Sequence, residues 1–115
     1  MPAPSFALHL KTRPGLVIVD ARGAIDLNNA PGFRSQLLAL AARRPSLVIF
    51  DLSHVSYLDS SAVGTLVEFR RRLDRSNGGR MVLAGLQARV RSIFEMAKLD
   101  RFFTIAGSVE DAQRN

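Results

Sequence analysis

The chain has 115 residues, 47% of them hydrophobic, enough for one domain (residues 1–115) with a core of its own. With no cysteine and only two histidines, His9 and His54, it offers no disulfide framework, no thiolate or imidazole-rich metal site, and no reason to expect a cofactor. The net charge is +6, carried by 14 arginines among 16 basic residues; no apolar run approaches the roughly 20 residues of a membrane span, and Met1 to Ser5 lacks the basic and apolar stretches of a secretory signal, so a cytoplasmic protein without a membrane partner is expected.

Phe6 to Lys11 alternates apolar and polar and reads as an edge strand. Arg13-Pro14-Gly15 is a turn signal, and the β-branched run from Leu16 to Val19, continuing toward Gly23, completes a hairpin. After Ala24-Ile25-Asp26, either Asn28 or Asn29 can cap a helix that has Pro31 in its first turn. That helix is expected to run to about Arg43, with Phe33, Leu37, Leu38, Leu40 and Ala41 inward and Pro45 as its stop. Leu47 to Leu52 is apolar on both faces apart from Asp51 and predicts a central strand. Ser53 to Tyr57, with His54, reads as a loop.

A second helix is expected from about Ser60 to Arg75, broken by Ser76-Asn77-Gly78-Gly79. Met81 to Ala84 reads as another central strand. Gln87 to Lys98 reads as a helix with Val90, Ile93, Phe94 and Ala97 at core spacing, followed by a short strand from Phe102 to Ile105. Ser108-Val109-Glu110-Asp111 resembles a capping box opening a last short helix. Strands alternating with helices predict an α/β fold: a mixed central sheet with an N-terminal hairpin, parallel crossovers, and helices packed on it.

The chemistry concentrates in Leu58-Asp59-Ser60-Ser61-Ala62, between the central strand and the second helix. Asp59 suits a helix N-cap, and the start of a helix accommodates an anion through its unpaired amides and the positive end of its dipole. Projection at about 100° per residue puts Ala62, Leu66, Phe69 and Leu73 on a buried stripe bordered by Val63, and Ser60, Gly64, Val67 and Arg71 on a more exposed sector. A glycine inside a helix costs around 1 kcal/mol relative to alanine. Gly64 therefore either admits another surface to a flat docking face made by Ser60, Gly64 and Val67, or packs against this protein's own loops.

Leu47 to Leu52, followed by Val55-Ser56-Tyr57-Leu58-Asp59-Ser60-Ser61-Ala62-Val63-Gly64, resembles the STAS domain of bacterial anti-sigma factor antagonists. In that family a strand is followed by Asp-Ser-Ser/Thr-Gly-Leu-Gly opening a helix. Gly23-Ala24-Ile25-Asp26, Asn77-Gly78-Gly79-Arg80-Met81-Val82-Leu83, Val90 to Leu99, and Phe102-Phe103 resemble further segments of the family in the same order. The resemblance implies a STAS-type fold and a partner switch. The unmodified protein binds an anti-sigma factor that is also a serine kinase with a GHKL-type ATP site, which frees the sigma factor. Phosphorylation of Ser60 then releases the partner, and a metal-dependent, PP2C-like phosphatase restores the starting form. Asp26, Asp59 and Ser61 are carried over beside Ser60, and Gly64 and Val67 complete the expected partner face. Ala62 stands where the family usually has Gly, its extra methyl expected on the buried side.

Other functions fit less well. A STAS module that regulates a transporter or a signalling scaffold would need no phosphorylatable serine. Catalysis is not expected, since there is no Gly-x-Ser-x-Gly elbow and no P-loop, and His54 lies six residues before Ser60 across the expected loop. Arg70-Arg71-Arg72 with Arg75 is a dense basic run, but no aromatics interleave with it as single-strand binding would want, so it reads as a solvated face rather than a nucleic-acid surface. An edge strand at Phe6 to Lys11 leaves the chain a monomer or a weak dimer.

Overall fold

A computed structural model describes residues 6–114. Its elements are β1 (Phe6–Arg13), β2 (Leu16–Ile25), α1 (Ala30–Ala42), β3 (Leu47–Leu58), α2 (Ser60–Asn77), β4 (Arg80–Ala84), α3 (Ala88–Met96), β5 (Thr104–Ala106) and α4 (Val109–Arg114). The sheet order is β1-β2-β3-β4-β5. β1 is antiparallel to β2 through a tight turn at Pro14-Gly15, where Gly15 takes a φ of 74°. The remaining pairs are parallel. The expected α/β architecture with an N-terminal hairpin is thus present, and β1 is an edge strand.

Alternation along the central strands divides the core between the two sheet faces. Val48, Phe50 and Leu52 join Phe33 and Leu37 of α1, Leu66, Phe69 and Leu73 of α2, and Phe94 of α3. Ile18, Ile49 and Val82 point to the opposite face and meet Ala112 of α4. The projection of α2 holds, with Ala62, Leu66, Phe69 and Leu73 buried and Gly64 exposed. Gly78, at a φ of 73°, ends α2 with its amide bonded to the Leu73 carbonyl.

Several boundaries differ from the sequence reading. Residues 53–57 are strand rather than loop. From the pair Asp20/Asp51 to Arg22/His54, β2 advances two residues and β3 three; from Gly23/Val55 to Ala24/Tyr57, β2 advances one and β3 two. Each step is a bulge with one extra residue in β3. The inward residues Leu52, Val55 and Leu58 therefore recur every third position instead of every second, which hides the strand from a period-two search.

Helix α1 begins at the expected place, but Asn29 does not cap it with its side chain. Its Oδ1 accepts the Asp26 amide at 2.9 Å and its Nδ2 donates to the Ala24 carbonyl at 2.9 Å, so the asparagine latches the β2–α1 turn. Leu38 is only half-buried. Helix α3 stops at Met96, because Lys98 takes a left-handed φ of 60° and the Leu99 amide returns to the Phe94 carbonyl at 2.8 Å. Ala97 is consequently exposed. Phe102 and Phe103 precede β5 in a turn held by their amides to the Leu99 carbonyl. Phe103 packs edge-on against Phe94 and Arg70 lies over the Phe102 ring at 4.4 Å, so both rings serve packing rather than strand pairing.

A bidentate ion pair clamps α1 to α2, with Arg34 Nε and Nη2 donating to Glu68 at 2.9 and 2.8 Å and Arg72 adding a contact at 3.2 Å. The Arg34 guanidinium, then Arg72, holds the Glu68 carboxyl below its usual pKa. A depressed carboxylate stabilises the fold above its unfolded pKa, about 4.3, and the contribution disappears as pH falls through the lower folded value. Glu68→Gln is therefore expected to lower the melting temperature at neutral pH, with the gap to wild type closing in acid below about pH 4. Melting curves across that range check the sign, and a gap that is constant with pH would contradict it.

Candidate functional site

The strand–turn–helix junction places the hydroxyls. β3 runs out at Leu58 beside Ile25, and the Asp59 amide bonds to the Ile25 carbonyl at 3.1 Å, which ties this junction to the β2–α1 turn that carries Asp26. Asp59 is extended, with φ −91° and ψ −177°, and its Oδ1 accepts the Ala62 amide at 3.1 Å. It is the N-cap that its position suggests. Its carbonyl accepts the Val63 amide, which leaves the amides of Ser60 and Ser61 as the outermost donors of the helix. Asp59→Ala is expected to cost about 1 kcal/mol, a drop of roughly 4 °C in melting temperature. A denaturation curve unchanged by the substitution would show that the cap is not structural.

The two serines part ways. Ser60 is exposed, and its hydroxyl has no protein partner among the described residues. It stands on the rim of a largely apolar groove of about 470 Å³ between α2 and α3, lined by Tyr57, Val63, Gly64, Val67, Ile93, Ala97 and Leu99 along with Leu58 and Asp59. An added Cβ on Gly64 would meet nothing within 4 Å, so Gly64 is not packed against this protein's own loops. Ser61 lines a different groove, of about 440 Å³, between α1 and α2, with Leu27, Pro31, Arg34 and Thr65. The N-terminal half of α2 is therefore a ridge with a groove on each flank.

The structure thus joins Asp59, Ser60, Gly64 and Val67 on one surface and sets Ser61 on the other flank. Asp26 sits in the neighbouring turn, where its Oδ1 accepts the Asn28 amide at 2.9 Å. Ala62 is fully buried, so the methyl that replaces the family's usual hydrogen points into the core and not into either groove. The sequence reading missed the wall made by Ile93 of α3 with Ala97 and Leu99 just beyond it, and also Tyr57 and Leu27, which are 45% and 73% exposed. Tyr57 is outward because the second bulge of β3 puts two exposed residues, Ser56 and Tyr57, between the inward Val55 and Leu58. His54 lies exposed on β3 with its Nδ1 3.2 Å from the Ser53 hydroxyl, and it makes no contact with Ser60 among the described residues. No group of metal-ligating side chains occurs among the described residues, and no described helix is long and apolar enough to cross a membrane.

A family model of the STAS domain matches residues 7–112. The anti-sigma-B factor antagonist of Bacillus subtilis is 32% identical over 103 residues, covering 90% of this chain and 93% of that protein. The chain belongs to the STAS-domain family of anti-sigma factor antagonists. Among solved structures, an anti-sigma factor antagonist from Mycobacterium paratuberculosis superposes with a TM-score of 0.82 at 26% identity, covering 99% of this chain and 97% of the other. The Bacillus cell fate determinant SpoIIAA in its phosphorylated form superposes with a TM-score of 0.72 at 22% identity, covering 94% and 98% of the two chains. The five-stranded mixed sheet with its four helices is therefore the STAS fold.

Proposed function

We propose that this STAS domain is the phosphorylation-controlled member of a partner switch: unmodified, it binds an anti-sigma factor that is also a GHKL-type serine kinase and so releases the sigma factor; phosphorylated on Ser60, it lets go. The observation that carries the proposal is the setting of Ser60, an exposed and unpartnered hydroxyl at the start of a capped helix and on the rim of an apolar groove. The partner covers Ser60, Gly64 and Val67, reaches Asp59 and Asp26 at the junction, and touches Ser61 across the ridge. A PP2C-like phosphatase reverses the modification.

Likeness to the anti-sigma-B factor antagonist and to a protein solved in phosphorylated form supports this reading. The chemistry supports it as well. A phosphate adds about −1.5 to −2 charges at neutral pH, and at this site it lies between the helix amides, which hold it without unfolding the domain, and the carboxylates of Asp59 and Asp26, which repel it. The domain's own role is binding, carried out in the cytoplasm. Capture of partners from a lysate of the source cells, with identification by mass spectrometry, tests the proposal. A GHKL-type kinase held by wild type and lost by Ser60→Asp is the expected result. Equal capture of a transport or scaffold complex by both proteins would overturn it.

A further inference from the structure

The end of the domain remote from Ser60 carries Arg13, Arg43, Arg44, Arg72, Arg75 and Arg80, all exposed. The fold gathers them. The Leu47 amide bonds to the Gly15 carbonyl and the Arg80 amide to the Ser46 carbonyl, so the hairpin tip, the α1–β3 loop and the start of β4 lie in one row. A groove of about 440 Å³ between α1 and α2 has Leu38, Ala41 and Ala42 along it with Arg44, Arg72 and Arg75. A second groove, of about 180 Å³, is lined by Arg13, Arg43 and Arg44, so Arg44 joins the two.

Helix dipoles explain only part of this. Arg75 in the last turns of α2 and Arg43 at the C-cap of α1 complement helix C-termini. Arg13, on the hairpin, has no helix end to complement. Arg44 takes a left-handed φ of 52°, a conformation that normally favours glycine. The ion pairs of α2 tie Glu68 to Arg34 and Arg72, and Asp74 to Arg70. Arg13, Arg43 and Arg75 have no carboxylate partner among the described residues.

We infer that this arginine pole is a second docking surface, for an acidic amphipathic helix of a partner protein, and that it works independently of Ser60. The shape and chemistry select that occupant. A groove between two helices with an aliphatic wall and a guanidinium rim matches a helix that is apolar on one face and acidic on the other. No aromatic side chain lines either groove to stack a base, and none of the large exposed apolar residues (Leu10, Leu27, Tyr57 and Met96) lines them to enter a membrane. Arg75 follows Ser60 by 15 residues of helix, roughly 22 Å, well beyond the screening length of about 8 Å at physiological salt. A phosphate on Ser60 therefore does not reach the pole.

The test is fluorescence anisotropy on the whole chain. The probe is a labelled helical peptide with leucines on one face and glutamates elsewhere, and the control is its scrambled isomer without an apolar face. Wild type is expected to bind the patterned peptide roughly tenfold more tightly than the scrambled one, and more weakly as salt rises. The triple variant Arg13→Glu, Arg43→Glu, Arg75→Glu is expected to lose at least about tenfold in affinity while staying folded, with a melting temperature lower by only a few degrees because Arg43 and Arg75 no longer complement the C-termini of α1 and α2. Ser60→Asp is expected to leave peptide binding unchanged, which separates this surface from the phosphoserine switch. Equal binding of both peptides, retention by the triple variant, sensitivity to Ser60→Asp, or tighter binding to duplex DNA or phosphatidylserine vesicles would each overturn the inference.

Discussion

Ser60→Asp is expected to weaken binding of the proposed anti-sigma partner by roughly 100- to 1,000-fold, a loss of about 3–4 kcal/mol, without lowering the stability of the domain. The two halves of that statement have separate causes. Stability is spared because a carboxylate in the first turn of α2 faces the helix amides and the positive end of the dipole, which favours it by a few tenths of a kcal/mol to about 1. Affinity is lost because the same carboxylate must be stripped of water under the partner, beside Asp59 and on the rim of an apolar groove that offers it no cation. Phosphate carries more charge than aspartate and should act at least as strongly. Ser61→Asp is the internal control. Its side chain enters the flank that contains Arg34, away from Gly64 and Val67, so a loss nearer tenfold is expected. Isothermal titration with both variants, together with thermal melts, reads the contrast. Equal losses would mean that the partner grips both flanks of the ridge alike. Loss of affinity accompanied by a lower melting temperature would assign the Ser60 effect to damage rather than to the switch.

The sequence revealed most where one local rule governed. The hairpin followed from Pro14-Gly15 between two β-prone runs, and α2 from Asp59 at its start, Gly78 at its end and a clean apolar stripe between them. Ser60, Gly64 and Val67 could be grouped because helical geometry alone puts them on one sector. What stayed hidden depended on long-range partners. The bulges of β3 exist because β2 is shorter over the paired stretch, and nothing near residues 53–57 announces this. Asn29 looks like a cap, but its amide serves the preceding turn once β2 and α1 are in place. The α3 wall of the groove required knowing that α3 lies beside α2 and that Lys98 turns the chain just after Ala97, which leaves a core-spaced alanine facing outward.

Gly64 gives the second large effect, and its signature is a pair of changes with opposite signs. A helix-interior glycine that could hold a Cβ without contact stabilises the unfolded chain for no return within the domain. Gly64→Ala should therefore raise stability by about 0.5–1 kcal/mol. Open space over the bare backbone at Gly64 leaves room for a partner surface to close onto it. In a close-packed interface even one extra methyl is felt, at about 1–3 kcal/mol. Gly64→Ala should accordingly bind the proposed partner roughly 10-fold less tightly, and Gly64→Leu 100-fold or more, although neither substitution touches the Ser60 hydroxyl. Both variants should still be phosphorylated when enough kinase is supplied, because Ser60 and its helix start are intact. If Gly64→Leu bound the kinase as wild type does, the groove between α2 and α3 would not be the docking face, and the partner would have to approach Ser60 from the Ser61 flank.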